Sequence, residues 1–293
     1  MIRKTLFDSQ LQLAVDVEQV PVGEIGSNSE PSDIPYINLS IGAPSSDLLP
    51  TSLTLTSVTS ALQFRDPSNC LQYGPTLGDD EVRQALSQWL SSCYNDFVDM
   101  HRLLLTSGAS QSLSNIVAMF TDPTYTTVLF EDPTYFLARG VFEEHSSNYK
   151  FQAIEQDDQG LDVDALEQLL KTELQKQPRR VDNDGKHRFI LYCVPTYNNP
   201  TGRCLSEERR RRLVALAHAF DMLIVCDDVY DVLYLDDTQR PPKRLVAWDD
   251  PDSGLVISNG SFSKLYGPGL RCGWIETSRR LMDRFSKRSA SPR

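Results

Sequence analysis

Short, unbroken apolar runs recur along the chain at 102–106, 127–130, 188–194, 222–226 and 255–257. Between them lie stretches whose apolar residues return every three or four positions. An unbroken run suits a strand buried on both faces of a largely parallel sheet, and the three-to-four spacing suits a helix with one buried stripe. Helices are expected at 79–93, with Val82, Leu86, Trp89 and Leu90 on one face, and after the turn 108–111, with Leu113, Ile116, Val117 and Phe120 inward. Others are expected at 161–176, at 278–287, and after Ser206, a capping residue followed by Glu207 and Glu208 in the favourable first turn. In that last helix Leu213, Leu216, Ala217 and Phe220 form the stripe. Strands alternating with helices predict an α/β fold, a doubly wound and mostly parallel sheet, with any ligand site outside the carboxyl ends of the strands.

The segment 23–32, rich in Gly, Ser, Glu and Pro, reads as an exposed linker, so residues 1–35 are assigned to an N-terminal arm and 36–293 to the main domain. With 293 residues, 40% of them hydrophobic and 24% charged, the chain can bury one large core and part of another. A formal net charge of -11 argues against a protein that neutralises nucleic-acid phosphates. The basic run 209–212 reads as a solvated helix face. Six cysteines without a Cys-x-x-Cys pair indicate neither a zinc site nor a disulfide framework, so no metal is expected and a reducing, cytoplasmic setting fits. The basic opening at Arg3 and Lys4 is soon interrupted by Asp8, Asp16 and Glu18, which argues against a leader, with a mitochondrial address as the alternative. No apolar stretch reaches the roughly 18 residues needed to span a bilayer, so no membrane partner is expected.

The candidate chemistry centres on 258–274, where a strand gives way to Ser261-Phe262-Ser263-Lys264 and then to glycines and Arg271. A lysine at a strand end, beside hydroxyls and an arginine, suits a phosphorylated carbonyl ligand held as a Schiff base. Upstream, Gly108-Ala109-Ser110 turns a strand into a helix and can offer free N–H groups to an anion. Tyr135 follows a strand end, where its ring can stack on a flat heterocycle. Asn199, in Asn198-Asn199-Pro200-Thr201-Gly202, can donate to a ring oxygen. Asp227, with Asp228 as the alternative, ends an apolar strand and can pair with a protonated ring nitrogen, with Tyr230 three residues on.

Taken in this order, these segments resemble the signature motifs of the class I and II aminotransferases, the fold type I pyridoxal 5'-phosphate enzymes, nearest in flavour to the aminoadipate, kynurenine and aromatic types. The resemblance covers roughly residues 35–290. It implies that Lys264 carries pyridoxal 5'-phosphate and moves the substrate proton. It also implies that the backbone at Ala109 and Ser110 holds the phosphate, and that Ser261, Ser263, Arg271, Tyr135, Asn199, Asp227 and Tyr230 bind the cofactor, with Asp227 at the ring nitrogen and Asn199 and Tyr230 at the ring oxygen. Tyr73 would reach the phosphate of a second copy across a homodimer, and Gly42 and Asn199 would line the substrate side. The substrates implied are an L-amino acid and a 2-oxo acid. Few residues follow Lys264, so the family's C-terminal small domain, with its carboxylate-gripping arginine, is expected to be largely missing; Arg139 and Arg279 are the substitutes to test. Two other readings stand beside transamination: another reaction on the same cofactor, such as β-elimination, and a cofactor-binding or dimerisation module without catalysis.

Overall fold

The computed structural model describes residues 42–64, 70–176, 185–234 and 240–290. The chain divides into two units, Met1–Leu48 and Leu49–Arg293. In the first, a 3-10 turn occupies Ser46–Leu48 and Gly42 is exposed. The expected arm and linker, with residues 37–41, lie outside the described residues.

The second unit opens with helices α1 (Thr51–Phe64) and α2 (Asp80–Tyr94). Strand β1 (Leu103–Thr106) then leads to α3 (Ala109–Phe120), and β2 (Thr127–Asp132) to α4 (Phe136–His145). A two-strand excursion, β3 (Lys150–Asp157) and β4 (Gly160–Leu161), precedes α5 (Val163–Lys176). Next come β5 (Phe189–Cys193), α6 (Glu207–Phe220) and β6 (Met222–Asp227), and the unit closes with β7 (Val256–Ser261), β8 (Gly273–Thr277) and α7 (Arg279–Ala290). Among the described residues the strands form one eight-stranded sheet in the order β1-β8-β7-β6-β5-β2-β3-β4. The pairs from β7 through β3 are parallel, and β8 and β4 are antiparallel to their neighbours.

Alternate residues of a strand point to opposite faces, so each central strand supplies two cores. Leu129, Leu191, Ile224 and Val256 pack under α5 and α6. Val128, Phe130, Ile190, Tyr192, Val225 and Ile257 pack under α3, α4 and α7. Burial on both faces explains why these strands read as unbroken apolar runs. A third cluster gathers Leu86 and Leu90 of α2 with Leu103 and Trp274, and Phe262 packs against it.

Capping sets the helix ends. Asp79 accepts from Val82 N at 3.1 Å to start α2, and Ser206 accepts from Arg209 N at 3.5 Å to start α6. Three expectations need correction. Val82 (46% exposed) and Trp89 (38%) are not on the buried stripe of α2, which is Arg83, Leu86, Ser87 and Leu90. Leu161 belongs to β4 and not to the following helix, because residues 160 and 161 fold back onto the end of β3. The run 209–212 is not uniformly solvated: Arg209, Arg211 and Arg212 make ion pairs with Asp157, Glu207 and Asp164, whereas Arg210 is fully buried. Arg210 lies one helical turn before Leu213 and Val214 and donates to the carbonyls of Leu205 and Pro195.

Candidate active site

The parallel strands end at one rim of the sheet, and the loops there carry the sequence-predicted residues. After β7 the chain turns tightly: the N–H groups of Leu265, Tyr266 and Gly267 all donate to Phe262 O, which closes a loop around Ser263 and half-buried Lys264. Ser263 N donates to Ser261 Oγ at 3.1 Å, and the two hydroxyls lie 2.9 Å apart. The loop is seated by Phe262, whose ring meets Trp274 at 5.0 Å and Trp89 at 5.9 Å. Gly260 is required beneath it, since a Cβ there would come within 2.2 Å of the Trp274 ring.

Across the rim, Asp227 ends β6 almost wholly buried. Its Oδ2 accepts from the Tyr192 hydroxyl at 2.5 Å, and its Oδ1 has no hydrogen-bond partner. Burial pushes its pKa up to about 6, helped by Asp228, while the Tyr192 hydrogen bond and the charge of Lys264 oppose the rise. Lys264 thus bears electrostatically on Asp227. The alternative, Asp228, faces the other layer, where Ser258 Oγ donates to its Oδ2 at 2.5 Å. Asp227 is therefore the carboxylate at the rim.

Two further groups converge on Asp227. Tyr230, half-buried, is raised by burial and by Asp227, and a side-chain hydrogen bond from Asn199 partly offsets this. Tyr135 caps the start of α4, and burial, together with Asp227 and Tyr230, pushes it up to about 12. The structure thus brings Tyr135, Asn199, Asp227, Tyr230 and Lys264 together.

The loop presenting Asn199 is held by residues that sequence reading passed over. Glu131, at the end of β2, is buried and accepts at Oε1 from both Val194 N and Asn198 Nδ2, each at 2.6 Å. Asn198 Oδ1 in turn accepts from Thr201 N and Thr201 Oγ1. Burial raises Glu131 to about 8, although the two donors oppose it. The sequence signal for Glu131 was a carboxylate closing an apolar strand, the same signal that singled out Asp227.

On the other side of Lys264, α3 begins at Gly108, whose φ of 95° lies in the range glycine favours, and no side chain caps the helix. Ser112 N makes the first backbone bond of the helix, to Gly108 O, and the N–H groups of Ala109, Ser110 and Gln111 precede it. The Arg271 guanidinium lies over Gly108, so close that a Cβ there would sit 2.7 Å from Nη2. A positive helix end without a side-chain cap, next to a guanidinium, is a ready anion site. Asn259 of β7 ties this cup to β6: its Nδ2 donates to Ala109 O at 3.0 Å, and its carbonyl accepts from Asp228 N.

These features fit pyridoxal 5'-phosphate. The uncapped helix end suits its phosphate, the open buried Oδ1 of Asp227 suits a protonated ring nitrogen, and the Asn199–Tyr230 pair suits a ring oxygen. Of the other expected residues, Tyr73 is 99% exposed, and Ser261 is buried with its hydroxyl engaged with Ser263. The substitute arginines are occupied elsewhere: Arg139 pairs with Glu143, and Arg279 with Asp99 and Asp252.

The fold is thus an α/β one, an eight-stranded, mostly parallel sheet that carries a lysine, a carboxylate and an uncapped helix end at one rim. The model of the family "Aminotransferase class I and II" matches residues 34–291, and the chain belongs to that family. It is 34% identical over 262 residues to aromatic-amino-acid aminotransferase 1 of Thermococcus litoralis, covering 89% of this chain and 58% of that protein. It is 32% identical over 201 residues to the 2-aminoadipate transaminase of Thermus thermophilus, covering 69% and 45%. Among solved structures, the kynurenine aminotransferase of Pyrococcus horikoshii is 31% identical with a TM-score of 0.72, covering 85% of this chain and 58% of that one. The chain spans about three-fifths of the length of the first relatives it matches.

Proposed function

We propose that this chain forms the cofactor-binding large domain (residues 36–293, with 1–35 as an arm) of a pyridoxal 5'-phosphate-dependent aminotransferase that moves an amino group from an L-amino acid to a 2-oxo acid. The observation that carries this reading is the buried carboxylate of Asp227, held at Oδ2 by Tyr192 with Oδ1 open, at the rim where the loop after β7 carries Lys264. When bound, the cofactor supplies an electron sink for charge developing at the substrate's α-carbon.

The chain's residues supply the rest. Lys264 Nζ would hold the group covalently and would be the base that moves the substrate's α-proton. Asp227 Oδ1 would hold the ring nitrogen in its protonated form, and Asn199 and Tyr230 would hold the ring oxygen. Tyr135 covers one ring face. The backbone N–H groups of Ala109 and Ser110, with Ser261, Ser263 and Arg271, hold the phosphate. Asn199 would also line the substrate side. The aromatic-amino-acid, kynurenine and 2-aminoadipate aminotransferases among its relatives support an aromatic amino acid, kynurenine or 2-aminoadipate as donor.

A homodimer belongs to the same reading. The apolar side chains Leu53, Leu55, Val58 and Phe64 of α1 stand exposed, as does Tyr73, and a second copy would cover them and bring Tyr73 to its phosphate cup. Free thiols throughout fit a reducing, cytoplasmic setting; among the described residues no helix is long and apolar enough to cross a membrane.

The test is to load the chain with the cofactor, reduce with borohydride and map the labelled peptide. The label is expected on Lys264 and absent from Lys264→Ala; a label on Lys243 or Lys287 removes the assignment. Keto acid formed from the donor without ammonia distinguishes transamination from β-elimination. A loaded chain that sediments as a monomer would remove the dimer.

A further inference from the structure

Tyr192 lies in β5 beside β6, on the same face as Val225 and Asp227, and is fully buried. Its ring packs at 5.8 Å from Phe130 in the core under α3 and α4. A phenylalanine would fill that place equally well, and a buried hydroxyl is costly unless it is paired. The hydroxyl of Tyr192 is paired with Asp227 Oδ2 at 2.5 Å. A carboxylate has no proton to give, so the phenol is the donor, and the bond leaves Oδ1 as the open acceptor.

We propose that Tyr192 is a positioning residue of the cofactor site: by donating to Oδ2 it fixes the Asp227 carboxylate with Oδ1 presented to the ring nitrogen and holds the negative charge there. This rests on the reading that the site carries pyridoxal 5'-phosphate. The groups that act on Asp227 come from every neighbouring element: Asp228 from its own strand end, Lys264 from the loop after β7, Glu131 from the end of β2, Tyr135 from the start of α4, and Tyr230 from the loop after β6. Of these, Lys264 favours the anion, as does the backbone N–H of Val229; the acids disfavour it. Tyr192 is therefore a main support of the charge that would hold a proton on the ring. Without it the carboxylate becomes more basic and draws that proton toward itself.

The experiment loads the full chain, Tyr192→Phe, Asp227→Asn and the double variant with pyridoxal 5'-phosphate carrying 15N in its ring. The ring-nitrogen chemical shift and the cofactor dissociation constant are then measured. The wild-type resonance is expected at the protonated position. Tyr192→Phe should move it toward the unprotonated position and weaken retention about tenfold, the scale of one hydrogen bond to a charged group. In the Asp227→Asn background the same change should have no further effect on the shift. An unchanged shift and affinity in Tyr192→Phe, or an equal loss in both backgrounds, overturns the inference and leaves the functional reading standing. A wild-type chain that takes up no cofactor overturns both. If Tyr192→Phe does not fold, 3-fluorotyrosine at 192, a stronger donor of nearly the same size, should raise the pH at which the ring nitrogen loses its proton; an unchanged titration midpoint overturns the proposal.

Discussion

Asp227 and Asp228 are adjacent in sequence and buried at the same strand end, yet they face opposite layers of the sheet, and the two layers treat charge differently. Asp227 shares its layer with Glu131, Tyr192 and half-buried Lys264, and the cation that bears most on it is Lys264. Asp228 sits among Arg210, Arg244 and Glu276, with Asp231 and Tyr94 beyond. In that second group Arg244 pairs with Glu276 and covers the Tyr94 ring at 3.8 Å, and Tyr94 donates to Asp231 at 2.7 Å. Burial pulls Arg244 down, but Glu276, Tyr94 and Asp231 together hold it above its ordinary value. In one layer two guanidiniums, Arg210 and Arg244, face the buried acids, although Asp228 Oδ1 and Asp231 Oδ1 lack hydrogen-bond partners as Asp227 Oδ1 does; in the other, the cation that bears most on Asp227 is Lys264 at the rim. Burial alone does not separate a structural acid from a functional one. The charges facing it do.

The largest effect should come from breaking the guanidinium side. Arg244→Met leaves Glu276 buried without its partner, and removing one member of a buried pair costs about 3–5 kcal/mol. Urea unfolding of the cofactor-free chain should show that loss. A loss below about 1 kcal/mol would mean that the network is not a support of the fold.

On the rim side the sign reverses. Asp227 has a folded value of about 6 against an ordinary 3.8, so the folded chain binds this proton more tightly than the unfolded chain does. Its favourable contribution is present below about pH 3.8 and is lost as pH rises to about 6. Glu131, at about 8 against 4.5, loses its contribution between those values. Stability of the cofactor-free chain should therefore fall as pH rises from 4.5 to 8. Glu131→Gln, which keeps an oxygen for Val194 and Asn198, should flatten the decline above pH 6, and Asp227→Asn should raise stability at pH 8 by about 1–3 kcal/mol while weakening cofactor retention. Denaturation midpoints across pH measure both. A stability gain at pH 4 that equals the gain at pH 8 would show that titration is not the cause.

Much of the rim side was legible because its residues stand in short, local motifs at strand ends. Lys264, Asn199, Tyr135 and the Gly108 turn each mark a place where an apolar run stops, and the run itself sets the fold. What was not legible depends on partners distant in sequence. Tyr192 reads as core until β6 places Asp227 beside it, and Glu131 reads as a strand-end acid until the loop from β5 brings Asn198 to it. The guanidinium side was almost invisible. Arg210 reads as solvated because the run of four arginines hides its place on the Leu213–Val214 face, a periodicity the sequence does contain. Arg244 and Glu276 meet only through the antiparallel return of β8.

The smallest expected effect sharpens the division most. Ser258 and Tyr192 make matching bonds, each a buried hydroxyl donating to one oxygen of an aspartate at 2.5 Å. If the layers differ as argued, removing the two hydroxyls should have separable consequences. Asp228 keeps Arg210 and Arg244 when Ser258 is lost, so Ser258→Ala should cost about 1 kcal/mol in unfolding free energy, at the low end for a bond to a charged group. Cofactor retention should be unchanged, because Asp228 points away from the rim. The cation that bears most on Asp227 is Lys264 at the rim, so Tyr192→Phe should act mainly on retention. A Ser258→Ala chain that loses cofactor as readily as Tyr192→Phe would mean that the two acids act as one coupled unit through the strand end. Asp228, the alternative from the sequence, would then share the ring-nitrogen role with Asp227.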